Sequence, residues 1–254
     1  MAALGQIIVE MLLLLLAATG TTLATGLGAI PVFMLGPRVV ALRPALWGLA
    51  GGVMAVASVV GLLAPALDQG SAWKVAAGFV VGVAFLLVGR RALGSRDIHV
   101  GNLRGANVRT SVLVFGVLLV HSLPEGFAIG TAYASDTAGL GAFVIVAIAI
   151  QNIPEGTSVA IPMQASGFSH AQQFWAAVGT SAPQPIGALV SFLAVEQVSD
   201  LLPISFGFAA GAMLSLVAIE LAPEALHRGA RGLGAAGLAS GAILMWAVSL
   251  LLHV

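Results

Sequence analysis

The amino-acid sequence predicts an all-α integral membrane protein that crosses the bilayer eight times and forms a single transmembrane domain, residues 1–254. The composition is 59% hydrophobic and only 8% charged, and the mean hydropathy is +1.05. A soluble domain carries about 25% charged residues, so this chain lacks the polar surface that water requires. The apolar residues also occur in segments of about 20 residues, which is the length that spans a bilayer as a helix.

Charged residues, prolines and glycines separate these apolar segments. At about 20 residues per span, eight spans leave no room for a soluble domain. The predicted spans are Ile7–Met34, Ala45–Leu67, Trp73–Val88, Thr110–Ala134, Gly139–Met163, Phe174–Ala194, Leu202–Leu226 and Leu233–Leu252. The first is interpreted as a span rather than a signal peptide, because Glu10 occupies the place of a basic leader region.

The basic residues predict the orientation of the chain. With eight spans, Lys74 alone of the ten Lys and Arg residues falls on one side. The other nine are Arg38, Arg43, Arg90, Arg91, Arg96, Arg104, Arg109, Arg228 and Arg231. Because basic loops stay in the cytoplasm, the loop at about 89–109 is predicted to be cytoplasmic and both termini to lie outside.

Two segments repeat each other. Gly48–Met54 resembles Gly207–Met213, and Leu63–Leu67 resembles Leu221–Leu226. In an eight-span chain the two spans that carry these segments run in opposite directions, which is typical of the inverted repeats of secondary transporters. A chance similarity between small-residue spans is the alternative. Spans four and five provide a second similarity, because each contains Pro-Glu-Gly.

Three carboxylates lie well inside apolar segments: Glu125, Glu155 and Glu220. Each costs roughly 2.5 to 3.5 kcal/mol at the centre of a membrane helix, so such residues usually line a pathway or a site. His121 lies four residues before Glu125, and Gln151 lies four residues before Glu155. Each pair therefore shares one helix face, and the imidazole, amide and carboxylate groups could form a partial metal coordination shell.

The prolines of the two Pro-Glu-Gly sequences, Pro124 and Pro154, add to this interpretation. A proline inside a helix frees the carbonyl four residues earlier, and irregular backbone within the membrane is expected where it lines a cavity. The following glycines, Gly126 and Gly156, allow a helix or an ion to approach closely. A surface turn is the alternative, but each flanking half would be about 10 residues, too short to span a bilayer.

Several functional classes are excluded by missing residues. The chain has no cysteine, so it has no disulfide and no thiolate ligand. It has no HExxH sequence, no nucleotide-binding motif and no polybasic segment, which argues against an enzyme, an ATP-driven pump and a nucleic-acid partner. Two alternatives to metal transport remain open: a proton-coupled or facilitative carrier of an organic solute, and a membrane sensor that binds metal without moving it.

The sequences His121-Ser122-Leu123-Pro124-Glu125-Gly126 and Gln151-Asn152-Ile153-Pro154-Glu155-Gly156 resemble the ZIP (Zrt/Irt-like) family of metal transporters, in particular its bacterial branch. The resemblance implies a 3+2+3 arrangement, with spans 1–3 and 6–8 as the inverted repeat. It also implies elevator-type transport of a divalent metal into the cytoplasm, zinc first and iron, manganese or cadmium as alternatives, across the bacterial inner membrane. The metal is the substrate and no cofactor is expected. The bilayer is the surrounding partner, and a homodimer is left open.

Carried over by position, the resemblance places the metal ligands at His121, Glu125, Gln151, Glu155 and Met54. Relatives with a two-metal centre carry further acidic or amide ligands, and this chain has neutral residues there: Ser122, Asn152 and Gln184. Two carboxylates match the charge of one divalent ion, so the sequence predicts one main metal site, with these three residues as second-site positions only. Glu220 is expected to be an auxiliary ligand near the cytoplasmic exit.

Overall fold

The computed structural model describes residues 2–94 and 106–254, which are almost entirely helical. The α-helices are α1 (Ala2–Leu27), α2 (Ala29–Leu35), α3 (Arg43–Ser58), α4 (Ala64–Gln69), α5 (Ala72–Gly94), α6 (Ala106–Tyr133), α7 (Leu140–Ala165), α8 (His170–Thr180), α9 (Pro183–Gln197), α10 (Leu202–Leu216), α11 (Ala222–Ala225) and α12 (Arg231–Leu252). Within the described ranges, seven helical stretches are long and apolar enough to cross a membrane. The chain is therefore an all-helical integral membrane protein, as the composition predicts.

The first of these stretches is unusually long. Ile7–Gln69 contains 63 residues, and a straight helix of that length would extend about 95 Å, three times the hydrocarbon core of a bilayer. The chain turns within it at Gly36, whose φ of +57° lies in the region that favours glycine. The count of eight spans and the 3+2+3 arrangement stay predictions.

The predicted cytoplasmic loop is bounded by long helices. α5 continues to Gly94 and α6 begins at Ala106, so helix covers both ends of the range 89–109. Arg96 and Arg104, two of the arginines used to predict the orientation, lie outside the described residues.

The backbone is irregular near other prolines than the two predicted to disturb it. Pro124 and Pro154 lie inside α6 and α7, which continue through them as α-helix. The irregular turns are instead π-helical, at Val59–Leu63 and Val217–Leu221. Each ends at the leucine of a Leu-Ala-Pro sequence, and the wider π turn accommodates a proline that cannot donate a hydrogen bond. The two similar segments thus carry the same backbone irregularity.

Glycines allow pairs of helices to pack with their backbones close together. A Cβ atom at any of these glycines would collide with the backbone of the partner helix. They are Gly48, Gly52, Gly237 and Gly241 between α3 and α12, and Gly78, Gly82, Gly207 and Gly211 between α5 and α10. Close approach over small residues is the common way in which membrane helices associate.

The helices form two groups by their contacts. The α6–α7 group contains α1, α2 and α6 to α9, and the α3–α10 group contains α3 to α5 and α10 to α12. The groups meet where α3 contacts α7 and where α6 contacts α10. Thr131 Oγ1 and Ser205 Oγ share a hydrogen bond of 2.5 Å across this boundary, and Gln69 Nε2 donates to Thr137 Oγ1 at 2.9 Å.

Candidate metal centre

The two Pro-Glu-Gly sequences lie on neighbouring helices in the interior. α6 packs against α7, and all four ligand residues predicted on them are buried. His121 is 3% exposed, Glu125 1%, Gln151 0% and Glu155 5%. The structure therefore places the predicted imidazole, amide and carboxylate groups away from lipid and bulk water, where an uncompensated charge is most costly.

The glycines of these sequences serve helix packing. A Cβ atom on Gly126 would collide with the backbone of Gln184 on α9, and one on Gly156 would collide with the carbonyl of Thr25 on α1. Of the two roles predicted for these glycines, the structure supports the approach of a helix. The α6–α7 pair is thereby held tightly against α1 and α9.

His121 and Glu125 border a narrow gap between the two helix groups. Met54 of α3 and Met213 of α10 line the same gap, which is too small to hold a water molecule. Neither Nδ1 nor Nε2 of His121 has a hydrogen-bond partner among the described residues. The imidazole thus presents two unused nitrogen atoms in a space that also contains a carboxylate and a thioether.

Glu125 is held by two amide groups. Gln151 Nε2 donates to Glu125 Oε1 at 2.7 Å, and Gln184 Nε2 donates to Glu125 Oε2 at 2.8 Å. Gln184 is completely buried on α9. Hydrogen bonds from neutral donors stabilise the charged carboxylate and fix its orientation. Gln151 Oε1 remains without a partner among the described side chains, so the amide oxygen is free to accept a ligand.

The residues at the predicted second-site positions form a neutral network. Asn152 Nδ2 donates to the carbonyl of Thr21 at 2.7 Å and to Gln184 Oε1 at 3.2 Å, and Thr21 Oγ1 donates to Gln184 Oε1 at 2.8 Å. Ser122, the third of these residues, donates its hydroxyl to the carbonyl of Leu118 at 3.0 Å. This network joins α1, α7 and α9 without adding a charge.

A larger cavity adjoins the gap at Leu216. It has a volume of 390 Å³. Glu155 and Glu220 line it, and Glu155 Oε1 has no hydrogen-bond partner among the described residues. Glu220 lies in the second π turn, and Arg90 Nε is 3.7 Å from its Oε2.

Three residues of this cavity were missed as site residues by sequence reasoning: Arg43, Arg90 and Glu224. Arg43 Nη2 lies 3.2 Å from Glu224 Oε1 and 5.4 Å separates Arg43 Cζ from the ring centre of Trp47. The spacing of Glu220 and Glu224, four residues apart, was the available signal, since it puts both carboxylates on one helix face. The arginines gave no such signal, because basic residues are expected at the cytoplasmic ends of membrane helices whether or not they line a cavity.

The charged residues of the candidate site are not preassembled as a cluster. Across residues 2–94 and 106–254, no three His, Asp or Glu side chains lie close enough together to hold a metal ion. Glu155 faces the cavity, whereas His121 and Glu125 face the gap. A complete coordination shell from these residues therefore requires either local rearrangement or the neutral oxygen and sulfur donors between them.

Known proteins resemble the chain over most of its length. Zinc transporter GufA of Myxococcus xanthus is 34% identical over 218 residues, which cover 81% of this chain and 85% of that protein. Zinc transporter ZIPB of Bordetella bronchiseptica is 33% identical, with 87% of this chain and 75% of that protein covered. A protein of Arabidopsis thaliana, named as a candidate zinc transporter, is 35% identical, but the chain spans only 33% of its length.

A match to a protein family agrees with these similarities. The family described as "ZIP Zinc transporter" matches residues 89–249, which include both Pro-Glu-Gly helices and the cavity-lining part of α10 and α11. This match covers more than half of the chain, and two bacterial relatives are covered over three quarters of their length or more. The chain belongs to the ZIP family.

Proposed function

We propose that this protein moves divalent metal ions, zinc first among them, across the bacterial inner membrane into the cytoplasm through a site between α6 and α7. Members of the ZIP family are membrane transporters, so the chain is not an enzyme. The observation that carries the proposal is a set of buried donor atoms without hydrogen-bond partners in the described structure: Nδ1 and Nε2 of His121, Oε1 of Gln151 and Oε1 of Glu155. An unsatisfied buried polar atom costs about 1 to 3 kcal/mol, and a bound cation would remove that cost for the two oxygens and for the one imidazole nitrogen that carries a lone pair.

The cavity supports inward release. Arg43 and Arg90, which are predicted to be cytoplasmic, line it together with Glu155 and Glu220. On the opposite side of the gap, α6 and α10 bury apolar side chains such as Ile129 and Phe206. We infer that this conformation is open to the cytoplasm and closed to the outside. An ion would leave past Glu155 and then Glu220, with the termini outside.

Helix packing supports eight spans with an inverted repeat and an elevator-type motion. The repeat relates span two (α3) to span seven (α10) and span three (α5) to span eight (α12). It therefore exchanges the helix pair α3–α12 with the pair α10–α5. It likewise exchanges α6–α9 with α1–α7, and all four pairs are in contact. We infer that the α6–α7 group moves as a unit against the α3–α10 group, within one domain formed by the whole chain, whether or not two copies form a homodimer.

The charge of the site supports one main metal ion. Glu125 and Glu155 supply two negative charges, and the neighbouring Gln184 and Asn152 are neutral and already hydrogen-bonded. A second dication beside the first would be repelled by several kcal/mol at an effective dielectric of about 20. The neutral network therefore occupies the place of a second metal ion.

Uptake into proteoliposomes tests the proposed site. The purified protein is reconstituted, and entry of zinc, cadmium, manganese and iron is followed for the wild type, His121→Ala and Glu155→Ala. His170→Ala is the matched control, because His170 is exposed and stacks on Phe33 outside the site. We expect saturable zinc uptake that both site variants lose and the control retains.

The same experiment separates the alternatives. Unchanged flux in His121→Ala and Glu155→Ala would remove the proposed site. Metal binding without flux in sealed vesicles would favour a sensor, and the absence of saturable metal binding would favour a carrier of an organic solute.

A further inference from the structure

We propose that Met213 is a second thioether ligand on the transport path and that, together with Met54, it favours soft divalent ions such as cadmium. This inference rests on the proposed transport function and assigns part of its ion specificity. Met213 is the last residue of Gly207–Met213, the segment that resembles Gly48–Met54.

The first observation is the position of Met213. It lines the narrow gap together with Met54, His121 and Glu125, and the remaining lining residues, Pro124, Ala212 and Leu216, offer no side-chain donor. Met54 is completely buried, and Met213 is 2% exposed. Both thioethers therefore lie beside the unpartnered imidazole and away from lipid.

The second observation is that the two methionines occupy equivalent positions. Met54 follows Gly48 by six residues on α3, and Met213 follows Gly207 by six residues on α10. A π turn follows each methionine within the same stretch, at Val59–Leu63 and Val217–Leu221. The two halves of the repeat thus each deliver one thioether to the same gap.

The chemistry of sulfur gives this arrangement a consequence. A thioether is a soft, polarizable donor that suits soft metal ions, whereas manganese and magnesium prefer oxygen. Two thioethers with one imidazole and one carboxylate form a softer ligand set than the same imidazole and carboxylate with Met54 as the single thioether. The alternative is that Met213 only fills space, which methionine often does in a core. A leucine of similar volume separates the two, because it fills the space but cannot bind a metal.

Sulfur coordination can be measured directly in this protein. The chain has no cysteine and seven methionines, so any sulfur bound to cadmium comes from a thioether. X-ray absorption of the cadmium-loaded protein is compared for the wild type, Met54→Leu, Met213→Leu and the double variant. Met245→Leu is the control, because Met245 is fully buried on α12 but does not line the gap.

We expect two sulfur neighbours in the wild type and the control, one in each single variant and none in the double variant. In proteoliposomes, the ratio of cadmium uptake to zinc uptake should fall roughly tenfold in Met213→Leu, which corresponds to about 1.4 kcal/mol. Zinc uptake should fall less than cadmium uptake, because the loss of a soft donor costs the harder zinc ion less and leucine conserves the packing.

An unchanged sulfur shell and an unchanged uptake ratio in Met213→Leu would overturn this inference. Failure of the proposed function looks different, because the wild type would then take up neither ion. A wild type that transports both ions while Met213→Leu keeps the wild-type ratio leaves the transport function in place and assigns Met213 to packing.

Discussion

Replacing Gln184 with Glu tests whether the neutral amide network excludes a second metal ion. Gln184 Nε2 now donates to Glu125 Oε2 at 2.8 Å, and the substitution puts a carboxylate oxygen in its place. Two unit charges at this separation repel by about 6 kcal/mol at an effective dielectric of about 20. That is comparable to the whole stability of many domains, about 5 to 15 kcal/mol, so the pair must take up a proton or a cation.

We therefore expect Gln184→Glu to be less stable than the wild type without metal and to bind a second ion. Equilibrium titration with cadmium should give one tightly bound ion per chain for the wild type and two for the variant. Thermal unfolding in detergent should show a larger metal-dependent stabilisation for the variant than for the wild type. A ligand at about 100 times its Kd stabilises the native state by about 2.7 kcal/mol.

Gln173→Glu is the matched control for this experiment. Gln173 is also buried, and its amide donates to the carbonyl of Phe168 at 2.8 Å, outside the network. This variant should lose stability without gaining an ion. Two tightly bound ions in the wild type, or a single ion and no added metal-dependent stabilisation in Gln184→Glu, would refute the reasoning.

Two further predictions concern the packing of the helix groups. The chain has no cysteine, so Thr131→Cys with Ser205→Cys introduces only two thiols, where hydroxyl oxygens of the two helix groups now lie 2.5 Å apart. Oxidation to a disulfide should stop zinc uptake, and a reductant should restore it. Zinc uptake by fully crosslinked protein would contradict the elevator motion. Gly156→Ala should lower the free energy of unfolding by about 1 to 3 kcal/mol, because the added Cβ atom would collide with the Thr25 carbonyl. Gly20→Ala is the control: its Cβ atom would enter open space, so this substitution should be neutral or stabilising. Equal effects of the two substitutions on thermal unfolding would contradict the packing argument.

The membrane class and the buried position of the predicted ligand residues could be inferred from the sequence because both depend on local chemistry. An apolar run has a length that either spans a bilayer or does not, and a carboxylate inside such a run requires a protein environment. Glu125 and Glu155 are 1% and 5% exposed, as this argument requires. The sequence alone could therefore identify these residues as buried without knowing which helices surround them.

The hydrogen-bond network could not be predicted because it joins helices that are far apart in the sequence. Thr21 and Gln184 are separated by 163 positions, and nothing in either span indicates that α1 and α9 meet. Thr21, Thr22 and Thr25 were the available signal, since three hydroxyls within one turn of a membrane helix need partners. The π turns were missed for another reason: each proline could disturb the backbone at several places, and packing decides which one.

The division of donors between the helix groups connects the proposed motion to the proposed specificity. His121 and Glu125 belong to the α6–α7 group, whereas Met54 and Met213 belong to the α3–α10 group. A displacement of one group along the other therefore separates the nitrogen and oxygen donors from the sulfur donors. An ion that travels with the α6–α7 group loses its thioethers and then meets the cavity carboxylates of the α3–α10 group, beginning with Glu220. Soft ions lose more than zinc in that exchange. The thioethers should therefore raise cadmium uptake at low concentration, where binding limits it, and slow cadmium release at saturation.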